Sequence, residues 1–207
     1  MQLLEPSKLN LTATVLEGNV QALYLTAPQE KCGTSTVALS LAKALVELVS
    51  EKVLLIDGNL RISSLTQEFK LENAAGLTEL CNLTEKVPLE NYIHSILDDE
   101  LHFMPIGQAE MKGFKDIQKE NFNSLLHRLR RQFGYIIFDA SPVHDRRETL
   151  ALVSCFDGVA LVVEANKTRH EIAAAAIETI RQAGGKMSGV LMNRRKYFIP
   201  QTLYNWL

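Results

Sequence analysis

A chain of 207 residues, 46% hydrophobic and 22% charged, has the make-up of one soluble globular domain and not of a disordered or fibrous chain. Its 22 lysines and arginines against 24 aspartates and glutamates supply no overall basic charge for holding a nucleic-acid backbone, so no nucleic-acid partner is expected. The three cysteines, Cys32, Cys81 and Cys155, are widely spaced and odd in number, which suits reduced cytosolic thiols and offers neither a disulfide framework nor a zinc spacing.

Residues 1–18 carry Glu5 and Glu17 and lack the basic start and apolar run of a secretory signal. They are expected to form most of an N-terminal extension, 1–20, of a single domain spanning 1–207. No apolar stretch reaches the about 20 residues of a membrane-spanning helix, so any membrane contact is expected to be peripheral. The first strand is expected at Ala22 to Leu25, followed by a polar turn and a helix from Ser35 to Val49, where Val37, Ala38, Leu41, Ala42, Leu45 and Leu48 form an apolar stripe. A second strand runs from Val53 to Ile56. The stretch from Glu85 to Asp99 shows no clear period and reads as variable helix or loop.

Further strands are expected at Leu101 to Pro105, Tyr135 to Phe138, Val159 to Val163 and Val190 to Met192. A helix from about Glu120 to Gln132 turns Phe122, Leu125, Leu126 and Leu129 inward and leaves Arg128, Arg130 and Arg131 largely outward as a solvated face. Another follows Lys167; its run Ala173 to Ala176 is expected to pack closely, and Gly184-Gly185 ends it. The apolar tail, 195–207, is expected to dock on the body or on a protein partner. Continuous apolar strands are buried on both faces, and their alternation with helices predicts a doubly wound α/β fold with a mostly parallel sheet.

In such a sheet ligands bind beyond the carboxyl ends of the strands. The segment Thr26 to Thr36 lies between a strand and a helix, where a phosphate-binding loop of the form GxxxxGK[ST] would lie. Pro28 stands at the first glycine and Thr34 at the lysine, while Gly33 and Ser35 remain. Alone, this fragment also describes ordinary helix capping. Two acids, Asp57 and Asp139, follow buried strands in the segments Leu54 to Arg61 and Tyr135 to Val143, and two strand-end acids in register with the loop favour a nucleotide site over chance.

These segments resemble the cytoplasmic domain of bacterial polysaccharide-export tyrosine kinases, relatives of the partition and division-site ATPases with a deviant P-loop. Leu54 to Arg61 is similar to that family's Walker A′ element and Tyr135 to Val143 to its Walker B element; Gly76 to Leu80, Pro105 to Gly107, Asp157 to Val163 with Lys167 to Arg169, and Gly189 to Arg194 extend the match. The resemblance implies a P-loop NTPase-like fold with Gly33, Thr34, Ser35 and Thr36 at the nucleotide phosphates. It also implies Asp57 near an attacking hydroxyl, Asp139 ordering magnesium through water, Ser35 as a direct magnesium ligand, and Asn193 at the adenine.

Phosphoryl transfer depends on positioning and charge stabilisation, and Thr34 supplies no charge. ATP and magnesium binding is therefore expected to be weak or absent. Asn59 also replaces an acid common in the Walker A′ motif, and Tyr197 and Tyr204 do not form the family's C-terminal tyrosine cluster. The expected function is that of a catalytically degenerate kinase-like protein regulating exopolysaccharide or capsule synthesis and export. It would be cytoplasmic, attached at the inner membrane through a membrane-anchored chain-length regulator, with a homo-oligomer as a further expectation. Two alternatives stand beside it: an active ATPase or tyrosine autokinase using Lys31 in place of the lost lysine, and a partition-type positioning ATPase.

Overall fold

The computed structural model describes residues 12–13, 15–59, 61–83, 87–97, 100–108, 118–144 and 150–194. The apolar runs become strands β1 (Ala22–Thr26), β2 (Val53–Gly58), β3 (His94–Leu97), β4 (Leu101–Met104), β5 (Tyr135–Ala140), β6 (Gly158–Glu164) and β7 (Met187–Asn193). They form one sheet in the order β3-β4-β2-β5-β1-β6-β7. All neighbours are parallel except β3, which runs antiparallel to β4 at the edge. Helices α1 (Thr34–Leu48), α2 (Ser64–Glu68), α3 (Leu77–Asn82), α4 (Lys119–Arg130) and α5 (His170–Gln182) connect them. The expected doubly wound, mostly parallel α/β fold is what the chain adopts.

Successive side chains on a strand point to opposite faces, and both faces here are apolar. On one side Leu23, Leu25, Leu55, Ile137 and Val162 pack against Val37, Leu41 and Leu45 of α1. Val15 and Val20, in the stretch read as an extension, belong to the same layer. On the other side Tyr24, Ile56, Ile136 and Phe138 meet Leu77 of α3, Phe122 and Leu126 of α4, and Ala176 and Ile180 of α5. Phe138 is stacked on Tyr24 at 5.5 Å between ring centres and meets Phe122 edge-on at 5.8 Å. Truncating a side chain so enclosed costs about 3–5 kcal/mol.

Several expectations need correction. The stretch read as helix or loop contains β3, a four-residue edge strand whose His94 and Ser95 hide any apolar alternation. The strand expected to reach Pro105 stops at Met104, because proline has no N–H for the ladder; the Pro105 carbonyl instead accepts from Leu77 N at 2.9 Å. Strand β7 starts at Met187, earlier than its apolar run. Of the alanine run only Ala176 is fully buried, while Ala174 and Ala175 are exposed.

The arginines of α4 are not all on a solvated face. Arg131 is exposed, but Arg128 donates to the Val87 carbonyl, and Arg130 forms a two-pronged ion pair with Asp157 at 2.7 and 3.0 Å. No described helix is long and apolar enough to cross a membrane. The expectation for the tail, 195–207, with Tyr197 and Tyr204, lies outside the described residues, as do residues 1–11 of the expected extension.

Candidate nucleotide site

Between β1 and α1 the chain turns through Ala27 to Gly33, and two of its residues are left-handed: Gly33 at φ 85 and Lys31 at φ 64. Lys31 stands where the resembling loops have glycine, so the bend is kept although a side chain strains it by about 1 kcal/mol. Gly33 cannot carry a Cβ, which would lie 2.3 Å from Asn193 Nδ2. No side chain caps the first turn of α1, which leaves its amides for water or an anion.

The loop borders an open cleft of about 210 Å³ lined by Lys31, Gly33, Thr34, Ser35 and Thr36 on one side and Asn59, Arg61 and Ser64 on the other. Thr34, in the lysine position, is half-buried, and Lys31 is exposed at the lip. Arg61 reaches back to the loop, with its Nη1 2.5 Å from Glu30 Oε1. Ser64 Oγ donates to Ser35 Oγ at 2.9 Å.

Asp57 and Asp139 are register partners on β2 and β5, both fully buried. Their surroundings differ. Asp57 Oδ2 accepts from Thr66 N at 2.9 Å and Thr66 Oγ1 at 2.8 Å, and Oδ1 accepts from Asn59 N at 3.1 Å. Burial raises its carboxyl to about 6, against the pull of those hydrogen bonds. Neither oxygen of Asp139 has a hydrogen-bond partner among the described residues. Burial first and the charge of Asp57 second push Asp139 well above the carboxylate range, while the nearby Ser35 hydroxyl favours ionisation without reaching hydrogen-bond geometry.

Two adjacent buried carboxylates resist joint ionisation, and a divalent cation would relieve them. The orphaned oxygens of Asp139 beside a serine hydroxyl form the hard oxygen-donor set that magnesium prefers. The residues present therefore fit the metal that the motif implies.

Asn193, expected at the adenine, approaches the loop from β7: its Nδ2 donates to the Cys32 carbonyl at 2.9 Å, and its Oδ1 accepts from Arg194 N at 2.9 Å. Arg194 Nη1 donates to the Lys31 carbonyl at 3.1 Å and lies 3.4 Å from Glu164 Oε1, which also pairs with Lys167 Nζ at 2.8 Å. Thus the end of β7 braces the loop. Thr66 and Ser64 escape motif reading, and the contact of Arg194 with the loop does too, because their partners lie 9, 29 and 163 residues away. The matched segments Gly76 to Leu80 and Pro105 to Gly107 prove to be each other's partners. Leu77 N and Thr78 N donate to Pro105 O and Ile106 O at 2.9 Å, while Glu79 accepts from Gly76 N and Gln108 N at 2.7 Å.

The cysteines are free thiols, and burial pushes Cys81 up to about 12, far from nucleophilic use.

A mostly parallel sheet with a loop between its first strand and helix, and acids closing β2 and β5, defines a P-loop NTPase-like protein. The family model for the cellulose biosynthesis protein BcsQ matches residues 21–197, and the chain belongs to that family. Among curated relatives, tyrosine-protein kinase YwqD of Bacillus subtilis is 27% identical over 187 residues, covering 90% of this chain and 78% of that protein. Tyrosine-protein kinase CpsD of Streptococcus agalactiae is 29% identical over 173 residues, covering 83% and 74%. Among solved structures the VpsO kinase domain superposes with a TM-score of 0.82 at 25% identity, covering 92% of this chain and 93% of that one. The resemblance read from the motifs to bacterial tyrosine kinases therefore holds.

Proposed function

We propose that this chain is a catalytically degenerate P-loop kinase-like protein that regulates exopolysaccharide or capsule synthesis and export. The carrying observation is an imbalance in the cleft. The positions for a cation, Ser35 and Asp139, are intact, with both Asp139 oxygens unpartnered among the described residues, whereas the position that would neutralise phosphate holds Thr34. In this reading Ser35 and Asp139 hold magnesium, whose positive charge would offset the phosphates and both buried carboxylates. Gly33, Thr34, Ser35 and Thr36 would line the phosphates and Asn193 the base, with low affinity for ATP.

The pathway rests on the family, named for cellulose biosynthesis, and on the similarity to CpsD and VpsO. The partner would be a membrane-anchored chain-length regulator that draws one cytoplasmic domain, 1–207, to the inner membrane. A second reading, an active ATPase or autokinase using Lys31, draws on that residue's exposure at the lip of the cleft.

Steady-state ATP turnover with magnesium, alongside Asp57→Ala and Asp139→Ala variants and mass spectrometry for phosphotyrosine, separates the two. The proposal expects turnover no greater than in the variants and no phosphotyrosine. Turnover abolished by either substitution, or stoichiometric tyrosine phosphorylation in protein free of other kinases, establishes the active enzyme instead.

A further inference from the structure

We infer that Ser64 and Thr66, two residues apart on α2, are positioning residues of the cation site: Ser64 holds the hydroxyl of Ser35, and Thr66 holds the carboxylate of Asp57 beside Asp139. The inference rests on reading Ser35 and Asp139 as ligands of a divalent cation, and it names what fixes their surroundings. Ser35 belongs to α1 and Asp57 to β2, and the short helix α2 bonds to both. Ser64 Oγ donates to Ser35 Oγ at 2.9 Å, while Thr66 N and Thr66 Oγ1 both donate to Asp57 Oδ2, at 2.9 and 2.8 Å.

The helix is itself pinned. Leu65, between the two residues, is buried in the layer that packs on α1, the Thr66 carbonyl accepts from Leu71 N at 2.9 Å, and Phe69 meets Phe103 edge-on at 4.7 Å between ring centres. Thr66 Oγ1 also accepts from Ile106 N at 3.2 Å. A hydroxyl that accepts from an amide keeps its own proton for another acceptor, and here that acceptor is Asp57. The same rule applied to Ser35 gives a different result: accepting from Ser64 leaves it a second lone pair, so Ser64 fixes the hydroxyl without consuming the electrons that a cation needs. With Asn59 N on its other oxygen at 3.1 Å, Asp57 is committed to its own chain, whereas the oxygens of Asp139 have no hydrogen-bond partner among the described residues. The two buried acids thus divide the work: Asp139 is left for the cation, and Asp57 is a fixed charge beside it. Groups that orient metal ligands in this way alter affinity by about 10–100-fold.

The test is titration of the full chain with manganese(II), which shares magnesium's charge and preference for oxygen ligands, followed by loss of the free ion's electron paramagnetic resonance signal. Ser64→Ala should weaken binding about fivefold, and Ser64→Thr, which keeps the hydroxyl, should restore most of it. Thr66→Val should weaken binding about tenfold or more, and Thr66→Ser should restore it. Melting without metal verifies folding, and the Ser64 variants carry the test should Thr66→Val not fold. Wild-type affinity in Ser64→Ala or in folded Thr66→Val would overturn the inference, as would losses that the hydroxyl-keeping variants fail to restore. Asp139→Asn keeps the two readings apart. Manganese binding that is absent from wild type, or unchanged by Asp139→Asn, refutes the cation reading and this inference with it; binding that Asp139→Asn abolishes and Ser64→Ala leaves intact refutes the inference alone.

Discussion

Where β1 and β6 begin, Asp157 receives Gln21 N at 3.1 Å, Ala22 N at 2.8 Å and both prongs of Arg130, and the Gln21 amide in turn donates to the Arg130 and Phe133 carbonyls at 2.9 Å. At the opposite end of the sheet, where β5 stops, Asp139 is buried with no hydrogen-bond partner for either oxygen among the described residues. Burial would raise the Asp157 carboxyl, but Arg130 and the two backbone amides hold it below its ordinary value; burial and Asp57 drive Asp139 the other way. A carboxylate whose partners come from its own chain is part of the architecture. One left without partners in the interior costs stability, and Asp139 keeps such a carboxylate beneath the cleft, near Ser35 of its lining, which is where the proposed cation would bind.

The largest effect should come from breaking the satisfied end. Asp157→Ala strands the Arg130 guanidinium and two backbone amides and should lower stability by about 2–3 kcal/mol in urea denaturation; a loss under about 0.5 kcal/mol would mean that water replaces the carboxylate without penalty. The pH dependence has a definite sign. Because folding lowers the pKa of Asp157 from 3.8, its stabilisation is present above that value and is lost as the pH falls through the lower folded pKa. The gap between wild type and Asp157→Asn should therefore narrow in acid and stay constant near neutrality.

Asp139→Asn should do the reverse. Replacing an unpartnered buried carboxylate by a neutral amide should leave stability within about 1 kcal/mol of wild type or raise it, while removing any rise in melting temperature that magnesium gives the wild-type protein. A loss of several kcal/mol would show that Asp139 has a structural partner and would dissolve the contrast between the two ends.

Much of this frame was legible because parallel strands buried on both faces leave continuous apolar runs, as at Val53 to Ile56 and Val159 to Val163. Asp57 and Asp139 were legible as acids closing such runs. Strand β3 was not, since its four residues owe their conformation to pairing with β4 and carry little apolar pattern of their own. Arg130 read as a surface residue because its partner lies 27 positions on, beyond the reach of helical periodicity. The bracing of the loop by Asn193 and Arg194 was hidden similarly: sequence reading marks a loop's departures from its pattern, whereas the contacts that hold it come from the far end of the chain.

The most direct measurement is a titration of ATP with magnesium into wild type, Pro28→Gly/Thr34→Lys, and the triple variant that adds Lys31→Gly. In the proposed reading the cleft keeps its cation site and its loop bend and lacks chiefly the charge at position 34. Lysine there should tighten binding by about tenfold or more, and glycine at the left-handed position 31 should improve it again by relieving backbone strain. Weak wild-type binding with stepwise gains across the three proteins is the predicted result; wild-type binding as tight as that of the triple variant would contradict it.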